Sequence, residues 1–175
     1  MEILLAIVLL LAAAAFVAVP LRRPADQFEP GLEDPRMAEL EARKQAKYRE
    51  IRDTEQRAGA ARTDRTRAIG GLAALALTQP LLDDYRKVAL VEPLARQLKL
   101  KKTKMEAALQ AYAQASASAA PEVVTAATFH TAALYQDFGK AMLNSQRPKG
   151  LKKLEIEQYN VLLEEQAFPF EEKAI

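Results

Sequence analysis

The stretch ILLAIVLLLAAAAFVAV, residues 3–19, contains no charged or polar side chain and no proline. An α-helix rises ~1.5 Å per residue, so this run spans roughly 25 Å, close to the hydrocarbon thickness of a bilayer. A backbone in lipid must satisfy its own hydrogen bonds, so the run is expected to be helical. The sequence therefore predicts a transmembrane anchor over residues 1–20, with apolar residues that include Ile3, Leu10, Phe16 and Val19.

A cleaved signal peptide is the alternative interpretation of this stretch. Signal peptides begin with basic residues, but this chain begins Met1-Glu2, and the nearest cations, Arg22 and Arg23, follow the apolar run. A retained anchor is therefore favoured. The positive-inside rule then places Arg22 and Arg23 at the cytoplasmic surface, as the first topology determinants.

Residues 21–67 are expected to form a linker and then a charged helix. Asp34-Pro35 is a helix start, because aspartate is a good N-cap and proline fits the first helical position. Apolar and basic residues then alternate at spacings of three and four: Met37, Leu40, Lys44, Lys47 and Ile51. Because lysines interrupt this pattern, a solvated charged helix is favoured over a coiled coil, which stays the alternative.

The segment 68–82 is a second apolar stretch, interrupted by Gly70-Gly71 and by Thr78-Gln79-Pro80. Three interpretations stay open: a short membrane span, a signal-peptide-like element, and a buried helix of the folded domain. If the segment spans, Arg65 and Arg67 are further topology determinants on the cytoplasmic side, and the C-terminal domain lies in the periplasm. If it does not span, that domain is expected in the cytoplasm.

Residues 83–175 are predicted to form a domain of stacked amphipathic helices. One apolar stripe runs through 91–112 with Lys101 as its one break, and another runs through 124–142. Helices are expected to stop at 113–120 and at 144–150, and 168–170 (Phe-Pro-Phe) is expected to turn the chain. No segment has a strand pattern, so the predicted fold class is all-α, as an α-hairpin array or a small helical bundle behind the N-terminal transmembrane helix.

Composition limits the chemistry available to this chain. There are no cysteines, which excludes disulfides and thiolate nucleophiles, and the single histidine, His130, leaves no cluster for zinc. The net charge of +2 gives no excess of positive charge for nucleic-acid binding. Gly70-Gly71 lacks the spacing and the lysine of a phosphate loop. We therefore expect no catalytic residue, cofactor site or metal site, and we expect a solvated basic face at Lys99, Lys101, Lys102 and Lys104.

Six C-terminal segments carry a family resemblance: 84–88 (DYRKV), 91–94 (VEPL), 126–130 (AATFH), 135–138 (YQDF), 147–151 (RPKGL) and 157–175 (EQYNVLLEEQAFPFEEKAI). Together they resemble bacterial cell-envelope proteins with tetratricopeptide-like repeats. The resemblance implies helical repeats that face the periplasm and bind other proteins. Such proteins continue into further helices, so the resemblance also implies that residues 83–175 are a truncated repeat domain.

Residues 47–55 (KYREIRDTE), together with the N-terminal anchor, resemble more weakly the membrane-anchored assembly factor of bacterial cytochrome c maturation. That family continues with a Tyr-x-x-Gly-Lys-Leu turn, where this chain has Arg57-Ala58-Gly59-Ala60. The resemblance implies a span, a cytoplasmic charged helix, a second span, and periplasmic helical repeats that present apocytochrome for haem attachment.

The expected function is that of a non-catalytic scaffold or adaptor, anchored in the bacterial inner membrane, which binds other proteins through helix faces. A component of cytochrome c maturation is the first alternative. A soluble helical enzyme is the second, although no polar site is evident in the sequence. The oligomeric state stays open. Aromatic residues of the C-terminal domain are the candidate partner contacts: Tyr85, Tyr112, Tyr135, Tyr159, Phe168 and Phe170.

Overall fold

The computed structural model describes residues 35–175, and this part of the chain is helical without strands. The all-α prediction is confirmed for these residues. The predicted anchor over 1–20 and the arginines at 22 and 23 lie outside them. Leu40–Ile175 forms one compact unit. A 3₁₀ turn (Gly59–Ala61) and the following α-helices make up the fold: α1 (Pro35–Arg57), α2 (Asp64–Ala76), α3 (Gln79–Arg86), α4 (Leu94–Ser116), α5 (Pro121–Leu143) and α6 (Lys153–Glu172).

The helices α4, α5 and α6 pack side by side, each antiparallel to the one before it. Near the α4–α5 loop, the ring of Tyr112 stacks on that of His130. Across α5 and α6, the rings of Phe138 and Phe170 lie 4.6 Å apart between centroids. The predicted helix start at Pro121 and the predicted loop at 144–150 are both confirmed. Against this layer pack α2, which contacts α4 and α5, and α3, which contacts α4.

The core between these helices contains the apolar stripes predicted for α4 and α5. Two positions differ from the prediction: Val91 and Val124 are exposed, and Val123 is buried in place of its neighbour. Neighbouring residues of a helix point about 100° apart around its axis, so a shift of one residue changes which side chain is buried. The ends of a predicted stripe are therefore its least accurate part. The main core comprises Tyr85, Leu90, Met105, Ala108, Tyr112, Ala127, Leu134, Phe138, Met142 and Ala167.

Lys101 belongs to the buried stripe of α4 and does not interrupt it, which corrects the sequence prediction. The residue is only 5% exposed, and its ammonium donates hydrogen bonds to the backbone carbonyls of Tyr85 at 3.2 Å and Val88 at 2.9 Å. Tyr85 lies in the last turn of α3 and Val88 two residues beyond its end, where the helix dipole favours a cation. The long apolar stem of lysine passes through the core to reach them.

Lys104 is also not part of the solvated basic face that the sequence predicts. Its ammonium lies 3.0 Å from the carboxylate of Asp84 on α3, and this hydrogen-bonded ion pair lowers the pKa of Asp84. Lys99 and Lys102 remain exposed, as predicted. The four lysines therefore divide between two roles, with Lys101 and Lys104 joining α4 to α3.

The apolar segment 68–82 is divided between α2 and α3, with Leu77 and Thr78 between them. The hydroxyl of Thr78 donates to the carbonyl of Leu75 at 2.7 Å, and Pro80 occupies the first turn of α3. Ala73 is buried, and further residues of the segment pack against the main core: Leu75, Leu81 and Leu82. Among residues 35–175, no helix has the length and hydrophobicity needed to cross a membrane.

Gly70 and Gly71 let α2 approach two other parts of the fold closely. A Cβ at Gly70 would lie 2.7 Å from Cγ of Glu55, a nearly buried residue of α1 whose carboxylate binds the guanidinium of Arg62 through both oxygens. A Cβ at Gly71 would lie 2.7 Å from Cβ of Ser118 and 3.0 Å from Cγ2 of Val123. The glycine pair therefore serves helix packing.

Replacing Gly71 with alanine is expected to lower the free energy of unfolding by about 1–3 kcal/mol, because the new methyl group overlaps Ser118 and Val123. Urea unfolding of the full chain in a mild detergent measures the change. Gly139→Ala is the matched control, since its Cβ would meet Cγ of Glu171 at an ordinary 3.5 Å. Equal stability of the two variants would contradict the close packing of α2.

Arg147 fixes the loop between α5 and α6. Its guanidinium donates to the carbonyls of Leu143 at 2.8 Å and Ser145 at 2.5 Å, and to the side-chain oxygen of Asn160 at 2.7 Å. The first two acceptors belong to the C-terminal end of α5, and the third belongs to α6. One planar side chain thus caps one helix and holds the next.

The helix α6 continues through Pro169 to Glu172, which corrects the predicted turn at 168–170. Proline removes one helical hydrogen bond, but Pro169 and Glu165, whose carbonyl loses that bond, are both exposed, so water can replace it. Packing on either side holds the helix together, because Ala167 is buried and Phe170 contacts Phe138. Tertiary contacts therefore outweigh the local tendency to turn.

Candidate functional site

One side of α6 is apolar and uncovered. Leu154 is 65% exposed, Val161 54% and Phe168 57%. These residues recur at intervals of seven, so they lie along one side of the helix. We call this surface the α6 face and define it by its exposed positions: Leu154, Gln158, Val161, Glu165, Phe168 and Glu172.

The other side of α6 packs against α5. Ala167 is buried there, and its carbonyl lies 3.8 Å from the position that a Cβ on Gly139 would occupy. Tyr159 and Leu163 are half-buried on the same side. The helix is therefore apolar on two sides, and the fold uses one of them. A folded helix that is apolar on two sides is typical of a surface that binds a second packing partner.

Acidic side chains surround the α6 face. The helix carries one basic residue, Lys153, and six acidic ones: Glu155, Glu157, Glu164, Glu165, Glu171 and Glu172. The acidic residues give the surface a negative potential, which favours a partner with basic residues. The arrangement can therefore bind an amphipathic helix whose apolar side is flanked by lysine or arginine.

The helix α1 presents a second exposed stripe with basic residues in place of acidic ones. Met37 and Leu40 are exposed, and the ammonium groups of Lys44 and Lys47 pair only with acidic neighbours one turn away, Glu41 and Glu50. The predicted helix start at Pro35 is confirmed, and the choice between a solvated helix and a coiled coil stays a prediction. We call the part of this stripe that lies in the compact unit the α1 face: Leu40, Lys44, Lys47, Ile51 and Thr54.

An apolar groove of about 430 Å³ continues the α1 face toward α2. Its walls include Lys47, Ile51 and Thr54 of the α1 face, with Ala58 beyond them and Ile69 of α2 opposite. Ile69 is 47% exposed. The groove therefore offers partly uncovered apolar side chains on both walls, and it can receive a protruding apolar residue.

A smaller, polar cavity of about 200 Å³ lies among α3, α4 and α5. Its lining includes His130, stacked on Tyr112 at 5.5 Å between ring centroids, and the charged residues Arg86, Asp137 and Lys140. His130 is exposed. Arg86 and Asp137 lie in two of the segments that carry the family resemblance, but no sequence pattern indicated that they meet, because they are far apart along the chain.

Tyr85 and Lys101 are buried beside this cavity. The hydroxyl of Tyr85 is buried without a hydrogen-bond partner among the described residues, and the carboxylate of Asp137 lies nearby. Burial raises the pKa of Tyr85, and the negative charge of Asp137 raises it further. Burial lowers the pKa of Lys101, whose ammonium lies 4.0 Å from the centre of the Tyr85 ring. Both shifts have the same cause, a packed interior that disfavours charge.

Among the six aromatic residues predicted as partner contacts, Phe168 alone is well exposed, on the α6 face. Tyr85 and Tyr112 are buried in the core and cannot reach a partner, so the prediction for these two is corrected. Their rings fill space between helices because a tyrosine on a buried stripe is a large packing residue. The others are half-buried: Tyr135, Tyr159 and Phe170.

The predicted topology determinants Arg65 and Arg67 lie at the start of α2. Thr63 caps this helix, its hydroxyl accepting a hydrogen bond from the backbone N–H of Thr66 at 3.2 Å. Arg67 pairs with the carboxylate of Asp64 in the same turn, and Arg65 is exposed. Both arginines therefore lie in the first turn of a helix whose N-terminus is capped.

The α6 face was missed in the sequence, although the interval of seven between Leu154, Val161 and Phe168 was the available signal. Within residues 35–175, no group of three or more histidine or acidic side chains is placed to hold a metal ion. Comparisons with protein-family models, curated proteins and solved structures gave no match. The resemblances to tetratricopeptide-like envelope proteins and to the cytochrome c assembly factor therefore stay predictions.

Proposed function

We propose that this chain is a non-catalytic helical scaffold, held at a membrane by residues 1–20, whose α6 face binds an amphipathic helix of a protein partner. The observation that carries the proposal is the row of exposed apolar residues on a folded helix, Leu154, Val161 and Phe168. Removing apolar surface from water contributes roughly 25 cal/mol per Å², so covering this row favours association. Membrane attachment is supported by the apolar run 3–19.

The acidic border of the α6 face supports a basic partner helix. Glu165 and Glu172 lie on the face itself, between and beyond the apolar residues. A partner with lysine or arginine beside its apolar residues places opposite charges across the interface, which favours the correct orientation. A neutral or acidic helix lacks this attraction.

Site-specific photo-cross-linking tests the proposal. The photoreactive amino acid p-benzoylphenylalanine replaces Val161 or Phe168, one at a time, in the full chain expressed in bacterial cells. Irradiation is expected to give discrete protein adducts from both positions. Phe129 is the matched control, because it is a phenylalanine with 68% exposure on α5, outside the α6 face. No adduct is expected from it.

Two results would overturn the proposal. One is the absence of adducts from both positions of the α6 face, and the other is equal labelling from the control. Detergent-dependent extraction of the chain from membranes, with loss of that dependence after deletion of residues 1–20, tests the anchor separately.

A further inference from the structure

We infer that the partner of the α6 face is a second copy of this chain, which it meets along the α1 face and the groove between α1 and α2. This inference rests on the proposed function, because it identifies the occupant of the same surface. Three independent features of the described residues carry it: residue spacing, charge and shape.

The two faces have matching heptad spacing. Exposed residues follow at intervals of three and four on both helices, and in antiparallel packing a position of one helix meets the complementary position of the other. One register places Ile51 of one copy opposite Val161 of the other. The same register then sets Lys47 opposite Glu165, Thr54 opposite Gln158, and Lys44 opposite Phe168.

The charges of the two helices are complementary. α1 contains seven basic and five acidic residues, whereas α6 contains one basic and six acidic residues. Lys47, now 2.7 Å from Glu50 in its own helix, gains a second carboxylate from Glu165 in this register. Charge on the α1 face comes from lysine, and charge on the α6 face comes from glutamate, so self-pairing of either face alone brings like charges together.

The groove supplies the shape that the α6 face needs. Val161 protrudes from α6, and the register brings it to Ile51 at the groove, with Ile69 on the opposite wall. Leu154 then falls beside Ala58, whose small side chain leaves room for it. Leu154 and Val161 thus meet apolar side chains that the single chain leaves partly uncovered, whereas Phe168 lies opposite Lys44 and packs against its aliphatic stem.

Each copy offers both surfaces, so the contact can form twice around a two-fold axis. Two identical helix pairs close the assembly, and the reciprocal arrangement doubles the buried area. Specific interfaces bury roughly 1,600 Å² of accessible surface in total, and a single helix pair is expected to bury less than this. A reciprocal dimer is therefore the expected form.

Cysteine cross-linking between two populations tests the register, and the chain contains no native cysteine that would interfere. Full-length Lys47→Cys and Glu165→Cys chains, carrying different tags, are reconstituted together in lipid vesicles and mildly oxidised. A disulfide-linked product with both tags is expected. Lys102→Cys, exposed on α4, replaces Lys47→Cys in the control and should give no such product with Glu165→Cys. Absence of the mixed product, or its formation with the control, would overturn the inference.

Charge reversal gives a second readout on folded chains, because both positions are exposed. Lys47→Glu and Glu165→Lys are each expected to weaken the dimer roughly fivefold, since each places like charges face to face. The double variant restores the opposite charges and should return to near-native affinity. A double variant that is weaker than both single variants would contradict the pairing.

The mass of the photo-adducts separates the two proposals. Adducts from Val161 and Phe168 at twice the mass of the chain support both. Adducts of another mass, together with no mixed disulfide, leave the scaffold function standing and overturn the self-pairing. No adduct from either position overturns both.

Discussion

Replacing Lys101 with methionine is expected to lower the free energy of unfolding by about 2–4 kcal/mol at neutral pH. Methionine keeps much of the volume of the lysine stem, so the main loss is the ammonium. The carbonyls of Tyr85 and Val88 then lose the hydrogen bonds from Lys101, and the contact of the cation with the Tyr85 ring is lost as well. Urea unfolding of the full chain in a mild detergent measures the change.

Lys102→Met is the matched control, because it makes the same replacement at the adjacent, exposed position of α4. Its effect is expected to stay within about 0.5 kcal/mol. Burial of the Lys101 charge carries a cost that opposes the gain from its hydrogen bonds, as the lowered pKa of Lys101 reflects. A methionine variant at Lys101 as stable as the native chain would show that this cost exceeds the gain from the two hydrogen bonds, and would contradict the stabilising role given to Lys101.

Replacing Tyr85 with phenylalanine is expected to protect the fold against alkali. Because the pKa of Tyr85 is raised in the folded chain, its contribution to stability is complete below the ordinary tyrosine pKa of about 10 and is lost as the pH rises above it. The variant lacks this loss. The difference in unfolding free energy should therefore grow by about 1.4 kcal/mol per pH unit above pH 10, in favour of the variant.

Below pH 9 the same variant should be close to native in stability. The Tyr85 hydroxyl has no hydrogen-bond partner among residues 35–175, so removing it breaks no bond. Unfolding of both chains at pH 8, 10 and 11.5 measures the divergence. Tyr48→Phe, at a half-buried position of α1, is the control and should follow the native curve. Parallel curves for the native chain and Tyr85→Phe would contradict the burial of a neutral phenol.

Local pattern was enough to predict the helical class and some helix ends. Apolar spacing placed Met105, Tyr112, Leu134 and Phe138 in the core, because helices in a small domain bury the side on which large apolar residues recur. Pro121 and the loop at 144–150 marked real boundaries. These features depend on residues close in sequence, so they are available before the fold is known.

The remaining features depend on what each helix meets. Lys101 is counted as polar by any residue scale, yet acceptors on α3 make it a core residue. Pro169 is a helix breaker by local preference, yet Ala167 and Phe170 hold α6 continuous around it. The α6 face looks like an ordinary buried stripe until the fold shows that α5 covers the opposite side. Such properties arise from tertiary contacts, which spacing alone does not specify.

The attachment of α6 to α5 has a mechanical consequence. The two helices are antiparallel, with the Arg147 contacts at the loop end and the Phe138–Phe170 contact at the other. A tension applied at Ile175 and resisted at the loop loads these contacts one after another, beginning with Phe170. The α5–α6 hairpin should therefore open at low force, because its contacts break one at a time. A partner bound along the whole α6 face would share the load among many contacts and raise the force needed.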